Sequence, residues 1–276
     1  MVIGRVAAVL LLCGSAYGQT KDEFIIVDSA RPVGDAVYEL IKRHPVVITY
    51  EDPRYAYTRD LKDVTDQIRN PLAPPRTDGH RILVPVGGPI QVRYAVSSAT
   101  NTPVDLAETL DSIVQAKAAL PAGGRFRVEQ SGDVFHVVAS QVRDASGRWV
   151  QHTSVLDVPI TLKTGVLDGY QLVSTILDEV SARNGVKFGI GTVPINAFVR
   201  YSGVVEANNE PARELLLRTL QGISERFRWI LNYDPVGDMY AFSVVAASAK
   251  PTVEIRFELP VPRPGDPTPA GPPFGR

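Results

Sequence analysis

Arg125-Phe126-Arg127-Val128 and Arg226-Phe227-Arg228-Trp229 are the two stretches from which the fold is best worked out. Each alternates polar and apolar side chains, the two-residue period of a strand with one covered face. The first passes through Ser131-Gly132-Asp133 and returns over residues 134–138; the second passes through Gly237-Asp238 and returns over residues 239–245. Both stretches predict β-hairpins. An amphipathic helix precedes each hairpin. Leu106, Leu110, Ile113 and Val114 line the first helix, with Thr102 as N-cap and Pro103 at its first position. Leu215, Leu216, Thr219, Leu220 and Ile223 line the second, with Pro211 in its first turn.

Farther upstream the order repeats. Residues 31–43 place Val33, Val37, Leu40 and Ile41 on one helical face, and His44-Pro45 stops that helix before a strand at 46–50. In the second half Asp168 caps a helix carrying Tyr170, Val173, Ile176, Leu177 and Val180, and Asn184-Gly185 closes it before a strand at 186–190. Further strands are predicted at 82–86, 90–96, 158–162 and 198–205. The matched order predicts an α+β fold of two similar two-layer units, each with two helices on a small, mainly antiparallel sheet. The first unit spans 19–145 with an irregular insert at 51–88, the linker 146–154, and the second unit 155–247. A Pro-rich tail occupies 248–276, seven of its last seventeen residues being Pro. That composition predicts an extended segment, either a recognition peptide or spacer, or a frayed terminus.

The first eighteen residues have the form of an export signal: Arg5, an apolar run over 6–13, then Ala16-Tyr17-Gly18 with cleavage between Gly18 and Gln19. The product is periplasmic or secreted. The alternative is a lipoprotein anchored at Cys13, although Leu10-Leu11-Leu12 is a poor lead-in for lipidation. Cleavage after Gly18 removes the only cysteine and with it any disulfide, thiolate metal site or Cys nucleophile. Hydrophobic residues make up 44% of the chain and charged residues 21%, which excludes a mostly disordered chain. With 29 basic against 30 acidic residues there is no broad electrostatic footprint for nucleic acid, and no apolar run is long enough to span a bilayer.

The search for chemistry leaves little. The histidines His44, His80, His136 and His152 show no helical metal spacing, so no cofactor or metal is expected. No nucleophile elbow is present. Glu51-Asp52 is an adjacent acidic pair, but neighbours on an extended chain point to opposite faces. Gly87-Gly88 and Gly189-Ile190-Gly191 lack the context of a phosphate cradle. The Arg125/Arg127 and Arg226/Arg228 pairs flank Phe and could offer a stacking face, although export and net charge argue against nucleic acid. Tyr50, Arg54, Tyr55 and Tyr57 have the residue types of interface anchors, or else roof the first core beneath the insert.

Residues 155–247 resemble the secretin and TonB short N-terminal domain. The likeness rests on Val158-Pro159-Ile160-Thr161-Leu162, on the helix ending Ala182-Arg183-Asn184-Gly185, and on Val186-Lys187-Phe188. A strand (Tyr201-Ser202-Gly203-Val204-Val205), a Leu-rich helix and a closing hairpin follow. The first half matches more loosely, with the 51–88 insert as its departure. The resemblance implies an exported, non-enzymatic domain that docks to other envelope proteins or to itself. Edge-strand pairing and apolar helix faces would then carry the contact. A binder of a small extracellular ligand between the units is the alternative, and a hydrolase a distant third.

Overall fold

β1 (Thr20–Ser29) is a strand that pattern alone does not announce. Ile25 is buried while Phe24 and Ile26 are exposed, so both faces are apolar and the period of two is lost. The structure, a computed structural model, describes residues 19–68 and 81–247. The expected signal with Cys13 and Gly18, residues 69–80 of the insert, and the Pro-rich tail lie outside the described residues.

After β1 comes α1 (Pro32–Arg43), which starts on Pro and buries Val33, Ala36, Val37, Leu40 and Ile41. β2 (Ile48–Glu51) is buried along its length. The insert carries β3 (Leu61–Asp63), the short α2 (Thr65–Ile68) and β4 (Leu83–Pro85), with β3 antiparallel to β4. β5 (Gly88–Ser97) buries every second residue, and β6 (Thr102–Pro103) pairs back onto its end. The helix expected to start at Thr102 therefore starts later. Asp105 is the N-cap of α3 (Leu106–Ala118), accepting the Glu108 N–H at 2.8 Å, because a carboxylate is the stronger cap and Thr102-Pro103 is taken by the ladder. β7 (Arg125–Ser131) and β8 (Val134–Arg143) form the first hairpin. β9 (Trp149–Gln151) pairs with the far end of β8, so residues 146–154 carry a strand.

The second half runs β10 (Pro159–Lys163), β11 (Leu167–Asp168) and α4 (Gly169–Asn184). Asp168 and Gln171 make a capping box, and Gly185 ends the helix in the left-handed region at φ 69°. Then follow β12 (Lys187–Ile190), α5 (Ile195–Arg200), β13 (Ser202–Gly203), β14 (Glu206–Pro211), α6 (Ala212–Ile223), β15 (Phe227–Asp234) and β16 (Met239–Ala246). The strand expected at 198–205 is broken up: residues 198–200 end helix α5, and only Ser202–Gly203, in β13, are strand. The segment's β-branched run is overruled by the burial of Phe198 against Phe227, with ring centres 5.8 Å apart. The strand lies later, in β14, where Asn209 takes φ 53° at an irregularity in the pairing.

The fold is α+β, and the pairings of one half recur in the other. β1 is antiparallel to β5 as β10 is to β14; β2 is parallel to β8 as β12 is to β16; each half closes with its hairpin. The two hairpins do not belong to separate sheets, however. β2 runs parallel to β15, with Tyr50 opposite Ile230 and Glu51 opposite Leu231. The result is one seven-stranded mixed sheet in the order β12-β16-β15-β2-β8-β7, with β9 beside β8. Two apolar clusters lie on its opposite faces. α1 and α3 cover the one into which Ile48, Tyr50 and Ile230 point; α4 and α6 cover the one that holds Trp229, Leu231 and Tyr233. Each fully buried Leu, Ile or Val in these clusters stabilises by about 1.5–3 kcal/mol.

Candidate docking interface

The line where the two halves meet is polar. Glu51 points to the α6 side of β2, and Arg213, near the start of α6, meets it with Nε donating to Oε1 at 2.9 Å and Nη2 to Oε2 at 3.1 Å. Arg213 also reaches Glu129 Oε2 from Nη1 at 2.8 Å and Asp157 Oδ1 from Nη2 at 2.9 Å. The Ser154 hydroxyl donates to Glu51 as well. Burial pushes the Glu51 carboxyl up against the pull of Arg213. One residue on, Asp52 points the other way. It accepts from Arg31 Nε at 2.7 Å, the Tyr50 hydroxyl at 2.9 Å, the Tyr55 hydroxyl at 2.8 Å and the Tyr233 N–H at 3.2 Å. Burial and the Asp52 charge hold both tyrosines well above the usual phenol range, so they remain donors. Glu51 and Asp52 thus serve two separate sets of partners, those of Asp52 drawn from both apolar clusters.

This decides where the suggested anchor residues sit. Tyr50 and Tyr55 are buried and turned onto Asp52, but only Tyr50 belongs to the first core; Tyr55 packs in the cluster covered by α4 and α6. Arg54 is exposed and pairs with Asp238 at 2.6 Å; Tyr57 is half-buried beneath the Arg143 guanidinium, 5.0 Å from its ring centre. Gln19 is described, and its carbonyl accepts the Ser98 N–H at 2.9 Å. The arginine pairs are engaged. Arg125 stacks on Trp149, Arg127 meets Glu129, Arg226 binds the Ala247 carbonyl, and Arg228 is buried.

The described histidines are held apart. His44 is buried between the Tyr94 hydroxyl and the Asn101 carbonyl, each at 2.8 Å. His136 is buried with Nδ1 on the Thr49 hydroxyl at 2.7 Å, and burial brings its pKa down to about 4. Burial also lowers His152. Among the described residues, no three His, Cys, Asp or Glu side chains gather as a metal site.

The feature that sequence reading missed is the edge of β1, beyond which no strand lies among the described residues. Because the Ser98 N–H goes to the Gln19 carbonyl, antiparallel alternation turns the backbone groups of Asp22, Phe24, Ile26 and Asp28 away from β5. Pro89 opposite Asp28, with no N–H to give, fits that register. The Phe24 carbonyl accepts from Arg43 Nη1 at 2.9 Å. On the same residues the side chains of Phe24 and Ile26 are 46% and 67% exposed. The edge of the large sheet at β12 is shorter. Pro194 stands in the continuation of β12 where Asp52 continues β2, so the junction of the halves is not repeated there.

Two cavities are shared by the halves. One of about 470 Å³ lies between Arg31, Gly34, Asp35 and Tyr38 and the facing Asn232 and Ser243. Another of about 580 Å³ opens at the end of the sheet, where Val46, Val47 and Val134 face Arg226, Arg228 and Ala247. No protein-family model, curated protein or solved structure matches the chain.

Proposed function

We propose that the protein is an exported, non-catalytic docking module of the cell envelope, which accepts an extended segment of another envelope protein as an added strand along β1. The observation that carries this reading is the ten-residue edge strand itself. It turns the backbone groups of every second residue outward, Asp22, Phe24, Ile26 and Asp28 among them, beside the exposed Phe24 and Ile26 side chains. Main-chain hydrogen bonds would supply affinity, and apolar residues at alternate positions of the incoming strand would find Phe24 and Ile26. Arg43 on the Phe24 carbonyl would have to be displaced, which discourages unspecific pairing. The resemblance of residues 155–247 to the short N-terminal domain of secretins and TonB receptors points the same way. Capture from the envelope fraction with wild type and with Ile26→Pro tests the reading, since Pro deletes an outward N–H and no ladder bond. A partner retained by wild type and lost by Ile26→Pro supports it; equal retention by both refutes it. Intact-mass spectrometry of the same material checks export, which requires a chain beginning at Gln19; a diacylated Cys13 would place it as a lipoprotein instead. A second reading, a small extracellular ligand held between the halves, is favoured by the two shared cavities.

A further inference from the structure

Arg228 is the charged side chain whose burial the rest of the structure leaves unexplained. It is 4% exposed and sits one residue into β15. Its Nη1 donates to the carbonyl of the preceding Phe227, while its Nε is buried without a partner. Among the described residues no carboxylate lies within ion-pair distance, in contrast to Arg31, Arg143 and Arg213, each of which holds an Asp or Glu. A guanidinium buried with no ion pair and with an Nε that has no acceptor is only partly compensated, by the charge of Glu225 acting from beyond ion-pair distance, and an added anion would complete it.

Arg228 lines the 580 Å³ cavity at the end of the sheet. Pro45, Val46, Val47, Val134 and Ala247 make its walls apolar. Asp133, Gln221, Glu225 and Arg226 complete the lining. Arg226 is spent on the Ala247 carbonyl, which its Nε reaches at 3.0 Å and its Nη2 at 2.6 Å. The charges of Arg226 and Arg228 balance those of Asp133 and Glu225. A dianionic phosphate would overcharge the site, whereas a single carboxylate would be tolerated. The size is that of a small-molecule pocket.

We infer that this cavity binds a monocarboxylate with an apolar body, its carboxylate on the Arg228 guanidinium and its hydrocarbon against Val46, Val47 and Val134. Planar, charge-assisted pairing is the recognition a guanidinium favours. Two sources offer that chemistry: a free aliphatic acid, or a glutamate of residues 248–276, of which Glu254 and Glu258 lie within reach of Ala247. The site is independent of the β1 edge.

The test uses the full chain and hexanoate as probe, read by calorimetry or ligand-observed NMR, with hexanol as the uncharged control. Saturable binding of hexanoate, absent with hexanol and weakened roughly tenfold or more in Arg228→Met, supports a free acid. Binding that appears only in the Glu254→Gln/Glu258→Gln chain supports the chain's own glutamate. Arg228→Met also reports without ligand: it removes a buried charge that makes no ion pair among the described residues, so the acid-free protein should unfold at equal or higher urea concentration than wild type. Failure of hexanoate to bind either wild type or Glu254→Gln/Glu258→Gln, or binding left undiminished by Arg228→Met, overturns the inference. Loss of the β1 partner in Ile26→Pro would be untouched by either result.

Discussion

Replacing Arg213 by Met tests how the two halves are held together. The side chain of Glu51 is only 3% exposed, and in Arg213→Met it keeps a single strong donor, the Ser154 hydroxyl. Leaving one partner of a buried pair uncompensated costs about 3–5 kcal/mol. Glu51 has an escape, which is to take up a proton. From an ordinary carboxyl pKa near 4.3, protonation at pH 7 costs about 4 kcal/mol at roughly 1.4 kcal/mol per pH unit, and this sets the ceiling. Glu129 and Asp157, about a third exposed, remain hydrated and add little. The expected loss is therefore about 3–4 kcal/mol at pH 7, shrinking to about 1 kcal/mol near pH 5 as the escape becomes cheap. Urea unfolding followed by the fluorescence of Trp149 and Trp229 at both pH values measures it, each variant compared with wild type at the same pH. Glu51→Gln with Arg213→Met should lose much less than the two single losses combined, because neither charge is then stranded. A loss under about 1 kcal/mol at pH 7, or one that does not shrink on acidification, would refute the reasoning.

Three further outcomes are expected. Gly34→Ala should destabilise by about 1–3 kcal/mol although Ala is the better helix former, because a Cβ there would lie 2.8 Å from the Tyr50 ring that braces Asp52; a gain in thermal midpoint would show that the ring moves freely. His136, held at about 4 in the fold against roughly 6.5 unfolded, contributes stability that is complete above pH 6.5 and lost as pH falls towards 4, up to about 3 kcal/mol. His136→Leu should flatten that part of the urea-midpoint profile, and an unchanged slope would count against it. Asp168→Ala should cost about 1 kcal/mol through loss of the capping box of α4, measured by urea denaturation, and Asp168→Asn should recover most of it.

The helices and hairpins were legible because their signals are local. Val33, Val37, Leu40 and Ile41 mark α1, Asp168 and Gly185 bracket α4, and the Arg-Phe-Arg stretches start β7 and β15 with the expected alternation. What escaped depends on distant partners. β1 looked like no strand because its outward residues, Phe24 and Ile26, are as apolar as its inward Ile25. Residues 198–200 read as strand but end α5, because the burial of Phe198 against Phe227 cannot be seen from residues 198–205. The pairing of β2 with β15 joins residues far apart in the chain, and only the polar residues Glu51 and Asp52, placed where an apolar strand ends, hinted that something charged waits on either side. The same hidden partners explain why Tyr50 and Tyr55 had the composition of an interface yet belong to the core.

Amide hydrogen exchange, resolved by residue, tests the central claim that the halves form one sheet and leave β1 open. The Asp52 N–H, which goes to the Leu231 carbonyl at 2.8 Å, and the Phe135 N–H, which goes to the Val47 carbonyl at 2.9 Å, should exchange only through global unfolding. The amides of Phe24 and Ile26 should exchange quickly in the isolated protein. Rapid exchange at Asp52, or protection of Phe24 and Ile26 matching that of the core, would contradict the account.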